Sequence, residues 1–307
     1  MSTDRIGVDL GGTKIEAVAF RDGEPVIRLR TPTPSGDYEG TIEAIRRLVD
    51  AVATDAGFDS AAPVGVGTPG SVHRGTGLHR NSNSTCLNGR PFAADLQSVM
   101  PRPVRTANDA NCFALSEAVD GAAAGHRIVF GVILGTGVGG GLVVDGAVVD
   151  GRNGVGGEWG HMSMPRRGHD PEMAPRDCYC GRQDCLEQHL AGPVLESDYA
   201  AASGRAARLI EFAGRMDTDP HAAAVLDRFH RRLAECLVTV VDLLDPDAIV
   251  LGGGVSNLDS IYEVVPPLLH AGVFGGRCDT PVLRNLHGDS SGVRGAAWLW
   301  PVGTDGP

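Results

Sequence analysis

No stretch of this chain holds the roughly 18 consecutive apolar residues a membrane-crossing helix needs, which excludes a helical membrane protein. An excess of positive charge is missing too. The 307 residues carry a formal net charge of −11, with a pI near 5.3. That balance argues against nucleic acid or an anionic membrane as the main partner. No leader peptide is expected, because Asp4 and Arg5 interrupt the opening residues before the first apolar run. The cysteines, seven in all, do not make a disulfide framework, and three of them crowd into residues 178–185. A metal site in a reducing, cytoplasmic setting is the expectation. Lysine is nearly absent: of 27 basic residues only Lys14 is not arginine. Such a bias reflects genome composition first, yet the lone lysine falls inside a glycine loop. Short-period repeats and low-complexity segments are also lacking. With 42% hydrophobic and 21% charged residues, the composition is that of a globular protein with room for two lobes.

What the chain has in quantity is glycine, 43 residues of it. Two glycine loops share one design. Asp9-Leu-Gly-Gly-Thr-Lys14 and Leu134-Gly-Thr-Gly-Val-Gly-Gly-Gly141 each follow one short apolar run and precede another. Each reads as strand, tight turn, strand. Glycine permits positive φ and has no Cβ, so backbone N–H groups can approach a phosphate. Candidate phosphate contacts are Gly11, Gly12, Thr13 and Lys14 in the first loop. In the second they are Gly135, Thr136, Gly137, Gly139 and Gly140. Neither loop is a G-x-x-x-x-G-K-[ST] P-loop, and both lead into strands, so the Rossmann reading fails as well. A third cluster, Gly252-Gly253-Gly254, ends a buried strand where a flat ligand such as adenine could lie; a tight strand-to-helix turn is the plain alternative.

Asn108-Asp109 stands between the two loops. Phosphoryl transfer needs one carboxylate to orient the attacking hydroxyl and accept its proton, which suits Asp109. The plain alternative is an aspartate capping the following helix. Asp9, at the end of the first strand, could face Mg²⁺ through water.

Cys178-Tyr-Cys180-Gly-Arg-Gln-Asp-Cys185 offers three thiolates, and His161 lies 17 residues earlier. One His and three Cys meet the tetrahedral N/S preference of zinc and leave no open position for chemistry. His169 competes for the fourth place. Glu158 and Glu187 bracket the segment and could accept hydrogen bonds from sugar hydroxyls. His161 could bind metal through one ring nitrogen and donate to a sugar through the other. His189 reads as helix surface. Cys86, Cys112, Cys236 and Cys278 read as isolated and inert.

Residues 6–30 read as strands turning at Arg21-Asp-Gly23. Apolar spacing predicts a helix over 38–56. Val64 to Gly67 reads as a buried strand, and 71–90 as a long polar loop of the functional or mobile kind. A helix near 91–100 and a strand at 104–107 lead into Asn108. Residues 110–124 read as helix, 128–150 as the second hairpin, and 151–187 as loop. A helical region over 192–245 is stopped by Asp245-Pro246. A strand at 248–251 and helices over 259–269 and 292–300 complete the chain.

Together these motifs resemble the ROK family of bacterial sugar kinases, in the actin-like/hexokinase superfamily, over nearly the whole length. The carrying residues are the two glycine loops, Asn108-Asp109-Ala-Asn111, and Gly157-Glu-Trp-Gly-His161 with Cys178-x-Cys180-Gly-x-x-x-Cys185-Leu-Glu187. The resemblance implies an α/β, two-lobed actin-like (ribonuclease H-like) fold with a central cleft. It implies a first lobe over 1–112, completed by a C-terminal helix at 289–303. The second lobe would span 113–288 and carry a zinc segment at 157–190. It implies Asp109 as the base, sugar contacts from Asn83, Asn108, Glu158, His161 and Glu187, and Mg-ATP held by the three glycine clusters. Zinc would be held by His161, Cys178, Cys180 and Cys185, and the chain would form a homodimer. Within the family, Asn81-Ser-Asn-Ser-Thr85 with Leu87-Asn-Gly89, the stretch Asn108 to Gly125 and the stretch His287 to Pro301 look closest to fructokinases of the manno(fructo)kinase type. D-fructose is then the expected substrate, with mannose second. Two positions depart from that pattern: Cys86 stands where these relatives carry Trp, and Asp184 where the zinc motif has Gly. The alternatives are a glucokinase or N-acetylglucosamine kinase, a sugar-sensing repressor, and a zinc-stabilised sugar-binding protein without turnover. The repressor reading is disfavoured because only five residues precede Ile6.

Overall fold

The computed structural model describes residues 3–165 and 175–301. Twelve strands are present among them: β1 (Arg5–Leu10), β2 (Lys14–Arg21), β3 (Glu24–Pro32), β4 (Val64–Thr68), β5 (Ser71–Val72), β6 (His79–Arg80), β7 (Val104–Asn108), β8 (Ile128–Leu134), β9 (Val138–Val144), β10 (Ala147–Val148), β11 (Ala248–Gly252) and β12 (Val282–Arg284). The α-helices are α1 (Tyr38–Ala56), α2 (Phe92–Val99), α3 (Asp109–Val119), α4 (Glu187–Leu190), α5 (Gly192–Ser203), α6 (Leu209–Ala213), α7 (Pro220–Leu244), α8 (Asp259–Gly272) and α9 (Ser291–Trp298). None of these helices is long and apolar enough to cross a membrane.

Two five-stranded mixed sheets organise the chain, in the orders β3-β2-β1-β4-β7 and β10-β9-β8-β11-β12. Each opens with an antiparallel hairpin and continues with parallel strands. β1 pairs antiparallel with β2 and parallel with β4; β8 pairs antiparallel with β9 and parallel with β11. The expected strands recur almost residue for residue, as does the helix at 38–56. β12 was not expected. The 71–90 loop holds a two-stranded ladder of β5 and β6, and a 3-10 turn at Thr85–Leu87. Asn88 fastens this loop: its side chain accepts from the Ser82 N–H at 2.9 Å and donates to the Ser82 carbonyl at 2.9 Å. The helix expected over 110–124 ends at Val119.

Each sheet has its own apolar core. A third cluster joins them, bringing Val18 and Phe20 of β2 to Val129, Val143 and Val250 through Phe113 of α3 and Val293 and Trp298 of α9. Close approach depends on missing side chains. A Cβ on Gly295 of α9 would lie 1.6 Å from the Cys112 carbonyl oxygen of α3. On the other side of α3, a Cβ on Gly141 would lie 2.7 Å from the Ala110 carbonyl oxygen. Helix α3 is therefore gripped between the C-terminal helix and the second sheet. Buried Glu117 adds to the grip: its carboxylate accepts from the N–H groups of Ala122 and Leu286 and from the Ser291 hydroxyl. Asp109 is the first residue of this doubly held helix.

Candidate active site

β7 delivers the chain to Asn108, and Asn108 caps α3. Its side-chain oxygen accepts from Ala110 N–H at 2.9 Å, and its amide donates to the Gly70 carbonyl at 3.0 Å. The cap is thus Asn108, not Asp109, and the sugar-contact role expected of Asn108 meets a side chain already engaged. Asp109 Oδ1 accepts from Ala110 N–H at 2.8 Å, and the side chain stays open to solvent. Protein nevertheless surrounds it closely enough that desolvation, followed by the Glu158 charge, raises its pKa above the ordinary carboxylate value. Asp9 responds in the same way. Desolvation, then Asp109 and Glu16, push it up to about 6. The bases of both hairpins therefore lie beside Asp109: Asp9 through charge, and the second through Gly139, where a Cβ would lie 3.2 Å from Ala110 Cβ.

The tip of the first hairpin is open. Gly12, Thr13 and Lys14 are exposed, and a Cβ on Gly12 would meet nothing within 4 Å. Gly11 is half-buried; its N–H donates to the Lys14 carbonyl at 3.0 Å, and its carbonyl accepts from the Thr33 hydroxyl at 2.7 Å. In the second hairpin Gly135 and Thr136 form the tip, and Gly135 accepts at its carbonyl from Gly192 N–H at 2.8 Å. Neither tip places a glycine at positive φ, so glycine serves there by leaving backbone uncovered. Gly139 and Gly140 lie within β9 and pack against α3 and Gly157; packing accounts for them without a ligand. Gly253 is the one member of its cluster at positive φ, +84°, and Gly254 is open.

Glu158 and His161 come from a 3-10 turn over Trp159–His161. Trp159 between them is buried and meets Phe130 edge-on at 6.1 Å. A Cβ on Gly160 would lie 1.9 Å from the Val138 carbonyl oxygen, which explains the glycine. Glu187 Oε2 accepts from Val138 N–H at 3.0 Å, tying the start of α4 to the second hairpin. Asn83 is exposed on its loop.

His161, Cys178, Cys180 and Cys185 come together. Their ligand atoms all lie within 4.8 Å of one another. Cys178 Sγ is 3.6 Å from His161 Nδ1, and Cys180 Sγ is 3.5 Å from Cys185 Sγ. Tetrahedral zinc with bonds of about 2.3 Å to sulfur separates its sulfurs by roughly 3.8 Å, so the donor set and spacing fit. His169 lies outside the described residues. Asp184 takes a left-handed φ of +55°, the conformation a glycine would adopt freely. Its Oδ1 repays the strain by accepting from Arg176 N–H at 3.1 Å and facing His189 Nε2 at 3.4 Å. His189 is correspondingly fully buried, a correction to the helix-surface expectation. Burial lowers its pKa to about 4, helped by Arg232 and Arg176, so it is neutral at pH 7. Among the isolated cysteines, Cys112 and Cys236 are buried while Cys86 and Cys278 are half-buried.

One residue escaped the sequence reading. The Tyr179 hydroxyl lies 3.0 Å from His161 Nε2, and the two rings meet edge-on at 5.2 Å. Its place between two metal-ligand candidates was the only available signal.

Fold and site together define the class, an α/β phosphoryl-transfer scaffold of the hexokinase type. Comparison with known proteins narrows it. The ROK family model matches residues 5–302. The N-acetyl-D-glucosamine kinase of Vibrio cholerae is 40% identical over 298 residues, covering 95% of this chain and 98% of the relative. Among solved structures, the ROK hexokinase from Thermus thermophilus superposes with a TM-score of 0.83 at 32% identity, covering 96% of this chain and 97% of that one. The ROK family glucokinase from Streptomyces griseus, solved with glucose and AMPPNP, gives a TM-score of 0.73 at 28% identity, covering 96% and 98%. The chain belongs to the ROK family, among its sugar kinases. The narrower expectation of a fructokinase is not supported by these relatives.

Proposed function

We propose that this protein transfers the γ-phosphoryl group of ATP to the 6-hydroxyl of a hexose. The carrying observation is Asp109: an accessible carboxylate with raised pKa, freed from capping by Asn108 and flanked by both glycine hairpins. In this reading Asp109 accepts the hydroxyl proton as the bond to phosphorus forms. Exposed Gly12, Thr13 and Lys14, with Gly135, Thr136 and Gly137, receive the phosphates, and Gly254 borders the adenine. Asp9 would hold Mg²⁺ through water, and the ion would neutralise charge between the β- and γ-phosphates. The two sheets would act as lobes that close about α3 and α9 and exclude water.

Two acceptors have separate support. N-acetyl-D-glucosamine is favoured by the names of the curated relatives, 40% identical in the first case. D-fructose, with mannose second, is favoured by the loop stretches 81–85 and 87–89 and by residues 108–125 and 287–301. The relatives weigh more heavily. Release of ADP with Mg-ATP and equal concentrations of the four sugars decides the matter. The expected result is clear preference for N-acetylglucosamine. Preference for fructose would support the loop reading. No turnover with N-acetylglucosamine, fructose, mannose or glucose would overturn the kinase reading.

Zinc on His161 Nδ1 and the three thiolates would tie together a segment with little core of its own. Chelation should raise hydrogen exchange across 157–165 and 175–190 and weaken sugar binding about tenfold or more. Unchanged sugar affinity in verified zinc-free protein would show that the cysteines serve another purpose.

A further inference from the structure

We infer that Tyr179 determines which hexose the site accepts, its phenol standing where a sugar bonded to His161 must lie. The inference rests on the kinase reading and deepens it. With Nδ1 turned to Cys178, His161 has one free ring nitrogen, Nε2, and the Tyr179 oxygen sits 3.0 Å from it. A metal on Nδ1 leaves the proton on Nε2, so the imidazole donates and the phenol oxygen accepts. A sugar hydroxyl oxygen would accept that same hydrogen bond.

The side chain is free to yield, while its backbone is not. Tyr179 is 77% exposed, so little packing holds the ring. Its neighbours Cys178 and Cys180 sit in a turn fixed by Gly181 N–H to the Cys178 carbonyl at 3.0 Å and Cys178 N–H to the Arg182 carbonyl at 2.8 Å. The ring therefore pivots on a fixed Cα beside His161. Any sugar that takes the His161 proton must meet it, either displacing the hydroxyl or resting against the ring. Among the candidate hexoses, N-acetylglucosamine has the largest substituent, an acetyl amide, and is the most sensitive to the room this ring leaves. A wall of this kind discriminates by fit, and the fit of one small group is worth roughly 10–200-fold.

The test compares Tyr179→Ala and Tyr179→Phe with the parent, all zinc-loaded with verified metal content. Calorimetry gives the dissociation constants of N-acetylglucosamine and fructose, and steady-state assays give kcat/KM for both. Tyr179→Ala is expected to change the ratio of the two sugars tenfold or more, toward N-acetylglucosamine. Tyr179→Phe keeps the ring and should hold the ratio within about threefold. A role confined to supporting the fold would lower both sugars alike. An active parent whose ratio stays within twofold in Tyr179→Ala overturns the inference alone. A parent that phosphorylates no hexose overturns the kinase reading, and this inference with it.

Discussion

Asp109→Asn is expected to lower kcat by roughly 10²–10⁴-fold, the range a positioned general base contributes. Sugar and ATP affinities should change little, because the amide fills the same space. The oxygen that accepts from Ala110 N–H is also retained. Stability sharpens the test. Burial and the Glu158 carboxylate raise the folded-state pKa of Asp109, so folding disfavours its charged form. A carboxyl with a raised pKa favours the fold at low pH, and that favour is lost as pH rises through the folded pKa. At pH 7.5 the charge therefore costs stability, and the neutral amide removes the cost. Thermal unfolding of Asp109→Asn at pH 7.5 should occur no lower than in the parent. The same shift sets the acid limb of kcat/KM. Burial and neighbouring charge push Asp9 up to about 6 and Asp109 above its ordinary value, so activity should fall at a higher pH than an unshifted carboxylate would give. A variant with near-parental kcat would refute the assignment of the base.

Gly295→Val is expected to destabilise the protein by about 3 kcal/mol or more, at or above the usual cost of overpacking. The physical reason is the 1.6 Å that a Cβ would leave to the Cys112 carbonyl oxygen. That oxygen is backbone, so no side chain can rotate away and α9 must move off α3. Movement would also disturb the Ser291 hydroxyl bonded to Glu117 at 2.8 Å. The melting temperature should fall by roughly 5–10 °C, with kcat falling as α3 shifts Asp109. Gly254→Ala is the control. A Cβ there meets nothing within 4 Å, so the melting temperature should stay within about 1 °C. Equal melting temperatures for Gly295→Val and the parent would mean that the two helices are not held this tightly.

Much of this arrangement was legible in the sequence, for identifiable reasons. Both hairpins announced themselves because an apolar run, glycine and a second apolar run leave few other local structures. The helix at 38–56 followed from the spacing of Ile42, Ile45, Leu48, Val49 and Val52, all of which are buried. The grouping of His161 with the three cysteines was legible because three cysteines in eight residues have few structural uses. What the sequence hid was long-range. Whether Asn108 or Asp109 caps α3 depends on where each side chain turns, and spacing gives no information on that. His189 looked exposed because Asp184, its neighbour at 3.4 Å, faces it only after the chain turns at a left-handed residue. Gly139 and Gly140 read as phosphate contacts because glycine in a motif does not reveal whether it faces a ligand or a helix. Tyr179 carried no periodic signal, since its role depends on a histidine 18 residues earlier.

The most direct measurement is the position of the phosphate in the product. The preferred hexose, incubated with Mg-ATP, is followed by carbon and phosphorus NMR. The account predicts phosphorus coupling to C6 and one equivalent of ADP per phosphorylated sugar. Phosphate on the anomeric carbon, or release of inorganic phosphate with unmodified sugar, would contradict it.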